Sequence, residues 1–145
     1  MPSVTPRRHG LTLVELCLVL TIVGLVTTMA VRQLGFYLDR AAARAAVVEA
    51  AAVVARARDE AVAQRIPVSV RFDTGADALE LRMDGVVLAR SALGQAHGVS
   101  LSANRDSLAY DLRGLGYGAA NLTLVARRGR AVDSLVVSRL GRLRW

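Results

Sequence analysis

From Leu11 to Val31 the chain reads LTLVELCLVLTIVGLVTTMAV, and its only charged side chain is Glu15. Coiled as an α-helix rising 1.5 Å per residue, such a stretch spans about 31 Å, the thickness of a bilayer's hydrocarbon core. It is long enough to cross a membrane once, and the remaining residues are enough for one small domain. Arg7 and Arg8 precede the run and only Arg32 follows closely, so the positive-inside bias places the N-terminus in the cytoplasm and the bulk of the chain across the membrane. Glu15 is the anomaly. A carboxylate at membrane depth costs roughly 2 to 4 kcal/mol even on lenient insertion scales, so it needs a compensating partner.

A secretory signal peptide would have a shorter apolar core and a small-residue cut after it, whereas this run is long and its plausible cut lies before it. A plain anchor fits the length but leaves Glu15 without a partner. A basic leader, then Gly10, then Leu-Thr-Leu-Val-Glu, then uninterrupted apolar helix is an order that resembles the class III signal of type IV prepilins and pseudopilins. The resemblance implies that a prepilin peptidase removes residues 1–10 at the cytoplasmic face of a bacterial inner membrane, cutting between Gly10 and Leu11 and methylating the new amine of Leu11. It also implies that Glu15 pairs with the terminal amine of a neighbouring subunit in a filament, turning an isolated charge into a register device. Two positions depart from the family's pattern. Leu11 stands where phenylalanine is usual, and Ala30-Val31-Arg32 replaces a common proline, so a kink would have to fall near Gly24 or Gly35.

Residues 36–65, FYLDRAAARAAVVEAAAVVARARDEAVAQR, are rich in alanine and lack glycine and proline, which predicts continued helix. At 100° per residue Val47, Val48, Ala51, Val54, Ala55 and Val62 share one stripe, opposite Glu49, Arg56 and Glu60. Pro67 stops the helix. From Ile66 the pattern alternates: Val68, Val70 and Phe72, then Leu79, Leu81 and Met83, with Asp84-Gly85 as a hairpin turn into residues 86–90. Further strands are expected at 99–102, 108–112, 121–127 and 131–139, with a glycine-rich loop over 113–121. The expected class is α+β: a long N-terminal helix, membrane half then amphipathic half, packed on an antiparallel β-sheet. The segments AVAQRIPVSVRFD, YDLRGLGYG and VVSRLGRLRW resemble the GspH/FimT family of minor pilins and pseudopilins, which implies a type IV pilin-like fold. The expected divisions are a leader at 1–10, a membrane and filament-core helix at 11–35, and a periplasmic globular domain at 36–145.

No catalytic constellation emerges. Cys17 is the sole cysteine, so neither an intrachain disulfide nor a thiolate cluster is available. His97, in GQAHGV, reads as a solvated loop residue, and no histidine, cysteine and acid cluster has metal-ligand spacing. The expectation is a non-enzyme with no cofactor and no metal.

The net charge of +7 comes from arginine alone, and its placement is uneven. Residues 1–10 carry +2, residues 11–126 are neutral, and residues 127–145 carry +5. An anionic partner should therefore meet the C-terminal end. In GRLRW, Gly141 lets an extended tail bend away from the sheet, placing Arg142 and Arg144 on one side roughly 6 to 7 Å apart, a spacing that suits nucleic-acid phosphates. Arg139, Arg127, Arg128 and Arg130 extend the patch if the last strands pair. Trp145 either stacks on a base or packs on the body. Gly141, Arg142 and Arg144 resemble the GRxR tail of FimT-like minor pilins that bind double-stranded DNA for natural transformation. Two expectations stand: DNA capture by a minor pilin of a type IV pilus, or a GspH-like minor pseudopilin of a type II secretion system whose arginines are solvated or meet acidic neighbours in the filament.

Overall fold

The structure, a computed structural model, describes residues 12–117, 121–138 and 140–145. The chain divides into two compact units, Met1–Gly35 and Phe36–Trp145, and one helix, α1 (Leu13–Gln64), contributes to both. In the first unit every described side chain is exposed. Its threonines fold back on the helix: Thr21, Thr27 and Thr28 donate to the carbonyl oxygens of Cys17, Val23 and Gly24 at 2.7, 2.7 and 2.8 Å. Those hydroxyls are thereby satisfied without water, as an apolar environment demands. α1 runs unbroken through Gly24 and Gly35, so its hydrogen-bonding shows no interruption where the missing proline directed attention.

In the second unit α1 buries an alanine face. Ala43, Ala46, Val47, Ala50, Ala51, Val54, Ala57 and Ala61 are at most 4% exposed, while Val48 and Val62 are 46% and 49% exposed. The expected stripe is thus rotated by about a quarter turn. Valines dominate any hydrophobicity-weighted stripe, but a side-chain-poor face brings the helix backbone closest to the strands and wins on packing.

The strands are β1 (Val68–Asp73), β2 (Ala78–Met83), β3 (Val86–Ser91), β4 (Ser100–Ala103), β5 (Ser107–Tyr110), β6 (Gly116–Tyr117), β7 (Leu122–Arg128), β8 (Ala131–Val137) and β9 (Leu143–Arg144). A five-residue helix, α2 (Leu93–His97), separates β3 from β4. All pairings are antiparallel, and Asp84-Gly85, both at positive φ, turns β2 into β3 as expected. Where one sheet was expected there are two, ordered β3-β2-β1-β5-β6 and β4-β7-β8-β9. Alternation reports which side of a strand is buried but not which strand lies beside it. One core joins both sheets to α1, with Leu79, Leu81, Leu122, Leu124, Leu135 and Tyr110 at its centre. The glycine-rich stretch is not all loop, because Gly116 and Tyr117 pair with Tyr110 and Ala109.

Candidate functional site

Gly10 and Leu11 lie outside the described residues, as does Arg139. Glu15 stands in the first turn of α1, where its backbone N–H donates to Thr12 Oγ1 at 3.2 Å. Thr12 therefore caps the helix, one half of a Thr-x-x-Glu capping box. A carboxylate here also faces the positive end of the helix dipole, a gain of about 0.3 to 1 kcal/mol. That is smaller than the roughly 2 to 4 kcal/mol cost of a charge at membrane depth, so the cap alone does not remove the need for a partner.

At the other end, the tail does not swing free. Gly141 N–H donates to Ser138 O at 2.8 Å, Ser138 N–H to Arg142 O at 2.9 Å, and Arg142 N–H to Ser138 Oγ at 3.1 Å. This turn folds the chain back so that β9 pairs with β8, with Leu143 opposite Val137 and Arg144 opposite Val136. The bend that Gly141 permits is thus a return onto the sheet rather than a departure from it. Gly141 is buried at φ +74, and a Cβ there would sit 3.4 Å from Tyr110 Cε1. Both the left-handed backbone and the tyrosine beneath it select glycine.

Leu143 packs inward against the core, so Arg142 and Arg144 project outward and are exposed. They share an open cleft of about 950 Å³ with Arg58 of α1, Ser138, Asn121 and a half-exposed Trp145. Arg58 escaped the sequence reading because it lies more than eighty residues from the tail, and only the fold joins them. It also lies beside Tyr110. Burial pushes that phenol above its ordinary value, and the Arg58 charge pulls against the rise. Among the described residues, Arg58, Arg142 and Arg144 have no carboxylate within 4.0 Å, whereas Arg44, Arg56, Arg90 and Arg128 do.

The structure does not bring Arg127, Arg128 and Arg130 to this cleft. They flank the β7–β8 turn, where Arg128 pairs with Ala131, while β9 pairs at the far end of β8. Five residues of strand separate the two places by about 17 Å. Arg128 shares the inward phase of Leu124 and Ala126, and its guanidinium is engaged: Nε lies 3.1 Å from Asp39 Oδ1, and Nη1 donates to His97 O at 2.7 Å. Nor is His97 a solvated loop residue. It ends α2, its Nε2 is 2.7 Å from Glu49 Oε2, and the same carboxylate accepts a hydrogen bond from Ser91 Oγ. The Ser91 and His97 contacts hold the Glu49 carboxyl below its ordinary value of 4.5, against a smaller opposing effect of burial. Glu49 accepts both contacts, so the three residues form a pin between α1, β3 and α2 rather than a nucleophile activated by a base.

A helix this long, with its second half packed on two small antiparallel sheets, has counterparts of known structure. It is similar to the type IV minor pilin FimU of Pseudomonas aeruginosa, at TM-score 0.61 and 20% identity over 74% of this chain and 90% of that one. The chain has the type IV pilin fold. A second crystal form of FimU gives TM-score 0.57 at 18% identity over 70% and 90% of the two chains. The minor pseudopilin EpsH from the type 2 secretion system of Vibrio cholerae gives TM-score 0.57 at 16% identity, over 70% of this chain and 94% of that one. Comparison of the sequence with protein-family models and with curated proteins gives no significant match.

Proposed function

We propose that this chain is a membrane-anchored filament subunit, a minor pilin of a type IV pilus, that captures double-stranded DNA through the cleft of Arg58, Arg142 and Arg144. One observation carries the DNA assignment: three arginines, one on α1 and two more than eighty residues later in the chain, line one open cleft, and none has a carboxylate within 4.0 Å among the described residues. Unpaired arginines around an open, wet surface suit phosphates contacted without regard to base sequence. The pilin fold and the exposed apolar helix support the filament role. In it, prepilin peptidase cuts after Gly10 in the inner membrane, Leu11 is methylated, and Glu15 pairs with a neighbouring subunit's amine. The N-terminus faces the cytoplasm and the globular unit the periplasm.

The test is fluorescence anisotropy of a labelled duplex titrated with the full chain in detergent. Three phosphate contacts predict that log K falls against log salt with a slope of about −2.7. Each of Arg58→Ala, Arg142→Ala and Arg144→Ala should lower affinity and reduce that slope by about 0.9. Absence of binding at low salt refutes the DNA assignment while leaving the filament role standing. The likeness to EpsH favours the second reading in that case: a minor pseudopilin of a type II secretion system, with the cleft facing an acidic neighbour at the filament tip. The filament role has its own test, since Glu15→Gln should block incorporation into filaments, and normal incorporation would refute the pairing assigned to Glu15.

A further inference from the structure

The arginines that the tail leaves aside gather at the other end of the globular unit. Arg128 binds Asp39 at 3.1 Å, and a Cβ on Gly129 would lie 2.6 Å from Asp39 Oδ2, so the β7–β8 turn rests directly on α1 at that residue. Gly129 has φ +54, and glycine there lets the turn close on the helix. Asp39 follows Val31, the last residue of the apolar run, by eight residues, and even a fully extended chain would keep it within about 29 Å of that run. If that segment spans a membrane, as proposed above, chain length alone keeps Asp39, and the turn fastened to it, within reach of the lipid surface.

The chemistry there suits such a surface. Arg40, Arg127 and Arg130 are exposed, and among the described residues none has a carboxylate within 4.0 Å. Two acids adjoin the patch and both are already paired, Asp39 with Arg128 and Asp133 with Arg44 at 3.3 Å. Five arginines against two aspartates leave three positive charges. Phe36 and Tyr37, 45% and 63% exposed, occupy the stretch between the apolar run and the arginines, as aromatics do at membrane interfaces. Between α1 and β8 lies a cleft of about 530 Å³ lined by Tyr37, Arg40, Ala41, Arg44, Val132 and Asp133, with room for a lipid headgroup.

We infer that this end of the globular unit docks on anionic phospholipid, with Arg40, Arg127 and Arg130 on headgroup phosphates and Phe36 and Tyr37 at headgroup depth. The inference rests on the membrane-anchored reading. It assigns the two arginine groups different partners, lipid at the β7–β8 turn and DNA at the tail.

The experiment reconstitutes the full chain in nanodiscs of phosphatidylcholine alone or with about one-third phosphatidylglycerol, and follows amide exchange over residues 36–44 and 126–132. Anionic discs should slow exchange there and leave the β9 amides unchanged, and about 0.5 M salt should erase the difference. Each arginine near an anionic leaflet contributes about five-fold, so Arg127→Ser with Arg130→Ser should reduce the protection by about 25-fold. Unchanged exchange at Leu124 and Leu135 in that variant checks that the core is intact. Equal exchange in the two disc types overturns the inference. So does protection of neutral discs by inorganic phosphate, which would make this a free-phosphate site. A chain that fails to enter discs of either composition overturns the membrane reading itself, and the inference with it.

Discussion

Replacing Gly141 by alanine separates the folding of the tail from its charge. The native φ of +74 lies in the left-handed region, where an L-residue costs about 1 to 2 kcal/mol relative to glycine. The added methyl would meet Tyr110 Cε1 at 3.4 Å, a contact that a small shift of the ring accommodates, so the backbone supplies most of the penalty. β9 is held by two register pairs, the turn bonds around Ser138 and the packing of Leu143, so the cheapest response is local release of the tail rather than global unfolding. A penalty of about 1.4 kcal/mol is a tenfold change in opening. The amides of Ser138 and Arg142 should then exchange about tenfold faster in Gly141→Ala, while those of Leu124 and Leu135 keep their rates. DNA affinity should fall by the fraction of chains whose tail is open, although every arginine remains, because an open tail takes Arg142 and Arg144 away from Arg58. Gly141→Asn should recover part of both losses, since asparagine tolerates left-handed backbone better than alanine. Unchanged exchange at Ser138 and Arg142 in the alanine variant would refute the claim that this backbone position seats the tail.

The Glu49 pin predicts a pH dependence. Because its carboxyl is held below the ordinary 4.5 in the folded chain, its contribution is complete above that value and is lost as pH falls through the lowered folded value. Melting temperature should therefore drop less steeply between about pH 5 and 3 in Glu49→Gln than in the native chain, and parallel curves would remove Glu49 from the explanation. The alanine face predicts an asymmetry along α1. Ala50→Leu should cost about 1 to 3 kcal/mol by overpacking, while Val48→Ala should stay within about 0.5 kcal/mol, as read from denaturant midpoints. Leu135→Ala, which empties a fully buried site, should cost about 2 to 5 kcal/mol in the same measurement.

What the sequence disclosed depended on whether the physics was local. Alternation at Val68, Val70 and Phe72 and the Asp84-Gly85 turn located β1 to β3, because burial on one face and turn conformation are both properties of adjacent residues. The split into two sheets was hidden, since β1, besides its hairpin partner β2, takes as its other neighbour β5, and β4 between them in sequence joins the second sheet instead. α2 is too short for a helical period, and only its closure by Gly98 at φ +64 marks it. The alanine face was misplaced because small residues weigh little in a hydrophobic stripe yet permit the closest helix approach. Of the tail cleft, Gly141, Arg142 and Arg144 were legible as a motif. Arg58 was not, because its membership depends on where α1 lies beneath the β8–β9 turn.

α1 also explains why a single basic C-terminal segment becomes two surfaces. Asp39 and Arg58 stand at the two ends of its alanine face, about 28 Å apart along the helix axis. β8, with seven residues, is about 23 Å long, and its bounding turns add the difference. The turn before β8 meets Asp39 through Arg128 and Gly129, and the turn after it meets Arg58 beside Gly141. The helix charges are matched to what each turn brings: an acid that fastens Arg128, and a base that joins Arg142 and Arg144. Reversing either helix charge should therefore act on one surface only. Asp39→Arg would release the β7–β8 turn, and Arg58→Asp would neutralise part of the tail cleft. At low ionic strength the Debye length is about 30 Å, comparable with their separation, but at physiological salt it is about 8 Å, and the two surfaces become electrostatically independent.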